Sequence, residues 1–217
     1  MIKFDIKLII TLSLIISSCS SLDLLKQSYK NFSHSTSTDY YIVQSGDSIW
    51  SIGLNLNLDT EQLIKNNNLK MPYTIYPNQK LLVSGVLTKR DFIKKSKVNE
   101  WHHPLGNKSR TGIKDGTWLI FKESKGIFIY SISGGKVVVS GPDIPGYGNL
   151  VMISHPDGYL SLYAHCDKIF VETGEDVDKG AKIAQLGNSE AAYPMLKFQL
   201  RKGGVPLRSD NLEFLFW

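Results

Sequence analysis

The sequence has few of the residues that hold metals or cross-link a chain: two cysteines and five histidines in 217 residues. Two cysteines cannot build a disulfide framework, a four-thiolate zinc site or an iron–sulfur cluster. Five histidines leave a metal site open, so their positions decide that question. The N-terminal apolar stretch, residues 8–16, has only nine residues, whereas a membrane-spanning helix needs about 20.

Positive charge is in slight excess, because 25 Lys and Arg against 20 Asp and Glu give a net charge of +5. This excess fits binding to an anionic polymer or surface but requires neither, and we expect no nucleic-acid partner. Apolar residues are plentiful at 42%, with four Trp, ten Tyr and nine Phe. A packed core is therefore expected and wholesale disorder is excluded.

The N-terminal segment predicts export from the cytoplasm. Lys3 and Lys7 precede the apolar stretch, as in a secretory signal. The ending Ile16-Ser17-Ser18-Cys19 resembles the lipobox of bacterial lipoproteins, whose cysteine is lipidated and becomes the new N-terminus; a plain secretory signal is the alternative. We therefore expect residues 1–19 to be a lipoprotein signal with lipidated Cys19. The mature protein would be anchored in a membrane of the cell envelope and face the periplasm.

Two polar stretches predict connections between structured parts. Residues 20–39 are rich in Ser, Thr, Asn and Lys, so they cannot bury a core and indicate a flexible tether. Residues 85–100 carry five Lys and Arg with few apolar residues. We interpret them as a solvated basic linker, with contact to an anionic polymer or to lipid headgroups as the alternative.

Residues 40–84 predict a small module with the order strand, helix, helix, strand. The two strands are Tyr40-Tyr41-Ile42-Val43 and Lys80-Leu81-Leu82-Val83. Asp47 is placed to cap a first helix that runs through Ile49 and Ile52, and Asp59 to cap a second.

The motifs of this module resemble a LysM domain: Tyr-x-Val-x-x-Gly-Asp-Ser-Ile-Trp-Ser-Ile, then Leu-Ile-x-x-Asn-Asn, then Ile-Tyr-Pro-Asn-Gln-Lys-Leu. The resemblance implies binding to the N-acetylglucosamine-containing glycan strands of peptidoglycan in a shallow groove between two loops. Here those loops are Gly46-Asp47-Ser48-Ile49 and Ile75-Tyr76-Pro77-Asn78. Ile49 is interpreted as core, and the module contains no candidate catalytic pair.

The C-terminal part, residues 101–217, predicts successive β-strands, with Pro156-Asp157-Gly158 as a hairpin turn. The expected strands are 117–121, 127–130, 136–139, 150–155, 159–165 and 195–201. In the last of them Leu196, Phe198 and Leu200 share one face and should be core, because side chains two apart point the same way. The fold class is mainly β with a small α+β module: a βααβ module followed by an antiparallel β domain.

Several motifs of this domain resemble the LytM/lysostaphin-type zinc metallopeptidases, whose domain is an antiparallel duplicated hybrid motif. They are Gly146-Tyr147-Gly148-Asn149-Leu150-Val151, His155-Pro156-Asp157-Gly158, Tyr163-Ala164-His165 and 177–184. In active members zinc is held by a His-x-x-x-Asp motif and by the second His of a late His-x-His. The first His of that pair and the His of Tyr-x-His act on the catalytic water.

Carried over to this chain, the resemblance implies that the site has lost its ligands. The His and Asp positions fall on Gly116 and Ile120, and the late pair on Met195 and Lys197; only His165 remains. Asp115 is the alternative carboxylate if the alignment shifts, but it does not replace the late pair. We therefore expect no catalytic residues, no bound metal and no cofactor.

The combination of lipoprotein signal, LysM module and degenerate peptidase domain resembles the NlpD/EnvC-type amidase activators. That resemblance implies a non-catalytic lipoprotein that binds peptidoglycan and activates a cell-wall amidase in cell division or wall remodelling. The expected partner contacts are Ile120, His165, Met195, Lys197 and Gln199. Two alternatives stay open: a zinc endopeptidase that cleaves peptidoglycan cross-bridges, with zinc as cofactor, and a passive tether between membrane and wall.

Overall fold

The computed structural model describes residues 40–83, 101–106 and 110–215. The chain divides into two compact units, residues 1–38 and 39–217, and every described residue belongs to the second unit. The predicted signal with Cys19, the tether 20–39 and the linker 85–100 lie outside the described residues. None of the helices in the described ranges has the length and apolar character that crossing a bilayer requires.

The described elements follow the predicted order, two helices inside a strand pair and then strands. The helices are α1 (Ile49–Leu56) and α2 (Thr60–Asn66). The strands are β1 (Tyr40–Ile42), β2 (Lys80–Leu82), β3 (Trp101–His102), β4 (Ile113–Asp115), β5 (Trp118–Phe121), β6 (Phe128–Tyr130), β7 (Gly135–Gly141), β8 (Asn149–His155), β9 (Tyr159–Ile169), β10 (Asp176–Val177), β11 (Lys182–Leu186), β12 (Leu196–Lys202), β13 (Val205–Pro206) and β14 (Phe214–Leu215).

Side-chain caps set where the two helices begin. Asp59 caps α2 as predicted, because its carboxylate accepts hydrogen bonds from the first-turn N–H groups. The predicted cap of α1 was wrong: Ser48, not Asp47, is the N-cap. Ser48 and Ser51 each accept a hydrogen bond from the other's backbone N–H, which is a capping box made of two serines.

The fold is mainly β, with a βααβ module followed by a predominantly antiparallel β domain. Its large sheet has the strand order β10-β7-β8-β9-β12-β5-β4. Outside this order, β11 pairs with both β6 and β9, and β13 pairs with the last two residues of β12. The hairpin turn falls at Pro156–Gly158, as expected. One short pair departs from the prediction, since β14 runs parallel to β3.

The alternation predicted for the last long strand is confirmed. Leu196, Phe198 and Leu200 are fully buried and belong to the main hydrophobic core of the domain. A second hydrophobic cluster joins the LysM module to the opposite face of the sheet, because Trp50 and Leu54 belong to the same cluster as Met152 and Leu162. Both faces of the sheet centre are therefore covered.

Candidate functional site

The two predicted glycan loops lie side by side in the LysM module. The N–H of Asn78 donates to the carbonyl oxygen of Val43 at 2.9 Å, and the N–H of Val43 donates to the carbonyl oxygen of Gln79 at 2.9 Å. These bonds continue the antiparallel β1–β2 pairing beyond the strands. The segment that follows β1 and the loop that precedes β2 are thereby held together.

The first loop is organised by the carboxylate of Asp47. One of its oxygens accepts hydrogen bonds from the Tyr41 hydroxyl at 2.7 Å and from the Gln44 N–H at 2.8 Å. Gly46 is exposed with φ +86°, a backbone conformation that favours glycine. Ile49 is 2% exposed and packs in the core, which confirms its interpretation.

The second loop presents side chains to solvent. Tyr76 is 67% exposed, Pro77 and Asn78 are exposed, and Ile75 is partly buried. The turn is fixed because the N–H of Tyr76 donates to Oε1 of Gln79 at 2.9 Å. A ring beside exposed backbone and amide groups offers the mixed apolar and hydrogen-bonding surface that acetamido sugars require.

The second candidate site lies on the face of the large sheet opposite its main core. Lys197 pairs with both Ile120 and Ala164, and Gln199 pairs with Leu162. Because directly paired residues of antiparallel strands share a face, these side chains form one surface. We call this surface the groove face: Trp118, Ile120, Leu160, Leu162, Ala164, Lys197, Gln199 and Arg201.

The groove face contains positions at which the resemblance places metal ligands. Ile120 and Lys197 are direct pairing partners, so an aliphatic side chain and a lysine are neighbours there. Gly116 is an exposed turn residue with no ligand atom, and Met195, which immediately precedes β12, is partly buried. Asp115 is exposed and pairs with Trp118.

These side chains do not fit a zinc ion. Zinc in proteins takes imidazole, thiolate or carboxylate ligands, and an ammonium group adds positive charge where the ion would sit. Within residues 40–83, 101–106 and 110–215, no group of three or more His, Cys, Asp or Glu could hold a metal.

A β-bulge turns His165 toward the groove side of the sheet. Tyr163 and Cys166 both lie in the main core, and the pairing of β8 with β9 shifts register between them. His165 has φ +65° and is 5% exposed. Its Nδ1–H donates to the carbonyl oxygen of Ser189 at 2.9 Å, which fixes the ring.

The ammonium group of Lys197 lies over the ring of Trp118, which itself contacts Tyr147. Its Nζ is 4.6 Å from the ring centroid of Trp118, and the Trp118 and Tyr147 centroids are 6.0 Å apart. Beside the same strand pair, Nζ of Lys122 lies 4.8 Å from the ring centroid of Tyr193, which is 42% exposed. Tryptophan and tyrosine are among the residues that contribute most to protein interfaces, so an accessible surface with these rings suits a protein partner.

Sequence reasoning missed Trp118 and Tyr147 as site residues. Trp118 had a usable signal, because it lies two residues before Ile120 and therefore on the same face of β5. Tyr147 lies in the Gly-Tyr-Gly motif that supported the resemblance, but its contact with Trp118 depends on a loop whose path the sequence does not specify.

Gln199, which was expected at the partner surface, is 2% exposed. Its Nε2 donates to Oγ1 of Thr117 at 2.9 Å, and its Oε1 accepts from Nη1 of Arg201 at 2.9 Å. Arg201 is 4% exposed, and burial lowers its pKa to about 10, so it remains charged at neutral pH. Gln199 could contact a partner only if the LysM module, which packs on this face, moved away.

Two further histidines have structural roles. Nδ1 of His155 donates to the carbonyl oxygen of Gly134 at 2.9 Å, and Nε2 accepts from the Ser161 hydroxyl at 2.8 Å. Nδ1 of His103 accepts from the Leu105 N–H at 3.1 Å. Burial lowers the pKa of both rings, that of His103 to about 4, so both are neutral at pH 7.

Cys166 is a buried free thiol, as expected. Its Sγ–H donates to the carbonyl oxygen of Tyr163 at 3.3 Å. Burial raises the pKa of the thiol to about 12, so it stays protonated and unreactive in the folded protein.

Two family models match the chain: a LysM domain at residues 41–84 and peptidase family M23 at residues 114–209. Among solved structures, a zinc-containing peptidase from Vibrio cholerae is similar at 26% identity and a TM-score of 0.48, over 54% of this chain and 41% of that chain.

Three curated relatives are lipoproteins or hydrolase activators by name. The lipoprotein YgeR of Escherichia coli K12 is 28% identical over 98% of this chain and 93% of its own length. Lipoprotein NlpD of Yersinia enterocolitica is 41% identical over 39% of this chain and 91% of its own length. Murein hydrolase activator NlpD of Salmonella dublin is 42% identical over 51% of this chain but only 31% of its own length, so the chain spans about a third of that relative.

Proposed function

The chain belongs to the family of NlpD-type lipoproteins with a LysM domain and a peptidase family M23 domain, and we propose that it is a non-catalytic activator of a cell-wall amidase. In this proposal the LysM module binds peptidoglycan, and the groove face of the M23 domain binds the amidase without a metal. A lipid on Cys19 anchors the protein in the cell envelope, facing the periplasm.

The main support for this proposal is the type of side chain found at the positions where the resemblance places catalytic and metal-binding residues. Ile120 and Lys197 are paired across the groove face, and Met195 stands at the other late position. A hydrocarbon, an ammonium group and a thioether supply neither the ligands nor the proton acceptor that zinc-dependent hydrolysis needs.

The same face keeps features that suit a protein partner. Ile120, Met195 and Lys197 are partly exposed beside the aromatic rings of Trp118 and Tyr147. A cleft built to hold a peptide remains a surface for a peptide segment once its metal chemistry is lost. The curated relative from Salmonella dublin is named a murein hydrolase activator, which supports this assignment.

Glycan binding by the LysM module rests on the paired loops described above. Tyr76, Pro77 and Asn78 are exposed together, and the Asp47 carboxylate shapes the neighbouring loop. Binding there would hold the groove face close to the wall on which the amidase acts.

The test is release of dye from labelled sacculi by each purified N-acetylmuramoyl-L-alanine amidase of the source organism, with and without this protein. The proposal expects stimulation of at least one amidase and no release by the protein alone. Release by the protein alone that a chelator abolishes would establish the zinc endopeptidase instead. Binding to sacculi with no effect on any amidase would leave the passive tether.

A further inference from the structure

The LysM module packs against the end of the groove face that contains Arg201. Trp50 and Leu54 of α1 share one hydrophobic cluster with Leu162, and Leu160 packs against that cluster. Leu160 and Leu162 pair with Arg201 and Gln199 and therefore lie on the groove face. The module covers this end of the surface, while Lys197 and Ile120 stay partly exposed.

Polar contacts fix this closed arrangement. Nη2 of Arg201 donates to the carbonyl oxygen of Leu54 at 3.4 Å and to Oδ1 of Asn57 at 2.8 Å. The hydroxyl of Ser154 donates to the carboxylate of Glu61. Gly204, in the turn after β12, lies so close to the backbone of Leu58 and Asp59 that a Cβ there would overlap it.

Among residues 40–83, 101–106 and 110–215, no carboxylate pairs with the buried guanidinium of Arg201. Its hydrogen bonds go to the carbonyl oxygens of Leu54 and Gly204 and to the side-chain amide oxygens of Asn57 and Gln199. A buried cation with only neutral acceptors recovers less of its lost hydration than one beside an anion. The closed arrangement therefore gives Arg201 a weaker set of partners than a carboxylate would, so a partner that supplies a carboxylate can compete with the module.

The two glycan loops lie on a different part of the module from the residues that pack on the sheet. Residues 50–61 of the module line the seam with the sheet, whereas Gly46 and the loop residues Tyr76, Pro77 and Asn78 are exposed. The module can therefore hold glycan whether or not it covers the groove face.

We propose that the LysM module and an acidic segment of the partner compete for the groove face, and that a partner carboxylate pairs with Arg201 once the module moves away. This rests on the proposed amidase-activating function and adds its regulation. Lys197 and Arg201 lie four residues apart on one face of β12, so uncovering adds a second cation to the accessible one. The fraction of molecules with the module displaced then sets the apparent affinity for the partner.

The test is Gly204→Ala in the full-length protein, which wedges the module away from the sheet. Gly174→Ala is the matched control, because Gly174 also has positive φ, +95° against +78°, but has open space where the Cβ would go. Hydroxyl-radical oxidation of Trp50, 8% exposed, relative to Met71, 61% exposed, measures displacement of the module. The second readout is the protein concentration that gives half-maximal activation of the purified amidase on sacculi.

We expect Gly204→Ala to increase Trp50 oxidation and to lower the half-maximal concentration by at least about threefold, with no change for Gly174→Ala. Arg201→Gln added to Gly204→Ala should raise that concentration again, because the carboxylate loses its cation. Increased Trp50 oxidation with an unchanged or higher half-maximal concentration would overturn the competition. If no variant activates an amidase although Trp50 becomes reactive, the proposed function itself fails.

A second variant covers the case in which Gly204→Ala does not fold or does not displace the module. Asn57→Gly combined with Glu61→Ala removes two contacts from the LysM side and leaves the β domain unchanged. Asn57 has φ +53°, which glycine adopts without strain. If this variant also leaves Trp50 protected, the module does not exchange and the proposal is wrong.

Discussion

Replacing Lys197 by alanine is expected to separate amidase activation from glycan binding. Its Nζ lies 4.6 Å from the Trp118 ring centroid on a partly exposed face, a contact that contributes about 0.5–1 kcal/mol to folding stability. Loss of a contributing interface side chain costs about 1–2 kcal/mol, which corresponds to about a fivefold to thirtyfold loss of affinity. The concentration of this protein that gives half-maximal amidase activation on sacculi should therefore rise by this factor.

Lys182→Ala provides the matched control for that variant. Lys182 lies on β11, and its Nζ is 4.3 Å from the ring centroid of Phe128 on β6. The variant therefore loses the same type of contact, but away from the groove face. Lys197→Ala should activate poorly yet bind sacculi like the parent, and Lys182→Ala should do both normally. The reasoning is refuted if Lys197→Ala activates like the parent, or if both variants lose activation equally.

Tyr76→Ala should weaken sedimentation of the protein with sacculi and leave the urea unfolding midpoint unchanged, because the ring is 67% exposed; an unchanged sedimentation would move the glycan site elsewhere. Burial lowers the pKa of His103 to about 4 in the folded protein, whereas an unfolded histidine has a pKa near 6.5. Between these pH values the unfolded state binds more protons, so the free energy of unfolding falls as the pH falls. The urea midpoint should thus be lower at pH 5 than at pH 7, with a smaller difference in His103→Gln. Cys166, with its pKa raised to about 12, should resist iodoacetamide at pH 8 until urea unfolds the protein; peptide mass spectrometry showing modification in the native state would contradict its burial.

Local patterns predicted most of the elements because local rules govern them. The alternation of Leu196, Phe198 and Leu200 placed the core face of β12 correctly, since side chains of a strand alternate between faces. Asp59 was identified as a cap for a similar local reason. Asp47 was misassigned because Ser48 is an equally good cap and pairs with Ser51, while Asp47 has its own partners in the loop.

The packing of the LysM module on the groove face did not follow from local patterns. One signal was present: β8 reads Leu150-Val151-Met152-Ile153, apolar on both faces, which indicates that both faces of the sheet are covered. That pattern does not say what covers the outer face. The answer depends on long-range contacts such as Arg201 with Leu54 and Asn57, which no local spacing encodes.

The central claim is that this M23 domain acts by binding and not by zinc-dependent hydrolysis. Its most direct test incubates the purified protein with zinc, removes unbound ions, and measures both zinc per chain and dye release from sacculi without any amidase. Because Gly116, Ile120 and Lys197 stand at the three ligand positions, we expect no stoichiometric zinc and no release. One zinc per chain, with sacculus hydrolysis that a chelator abolishes, would contradict it.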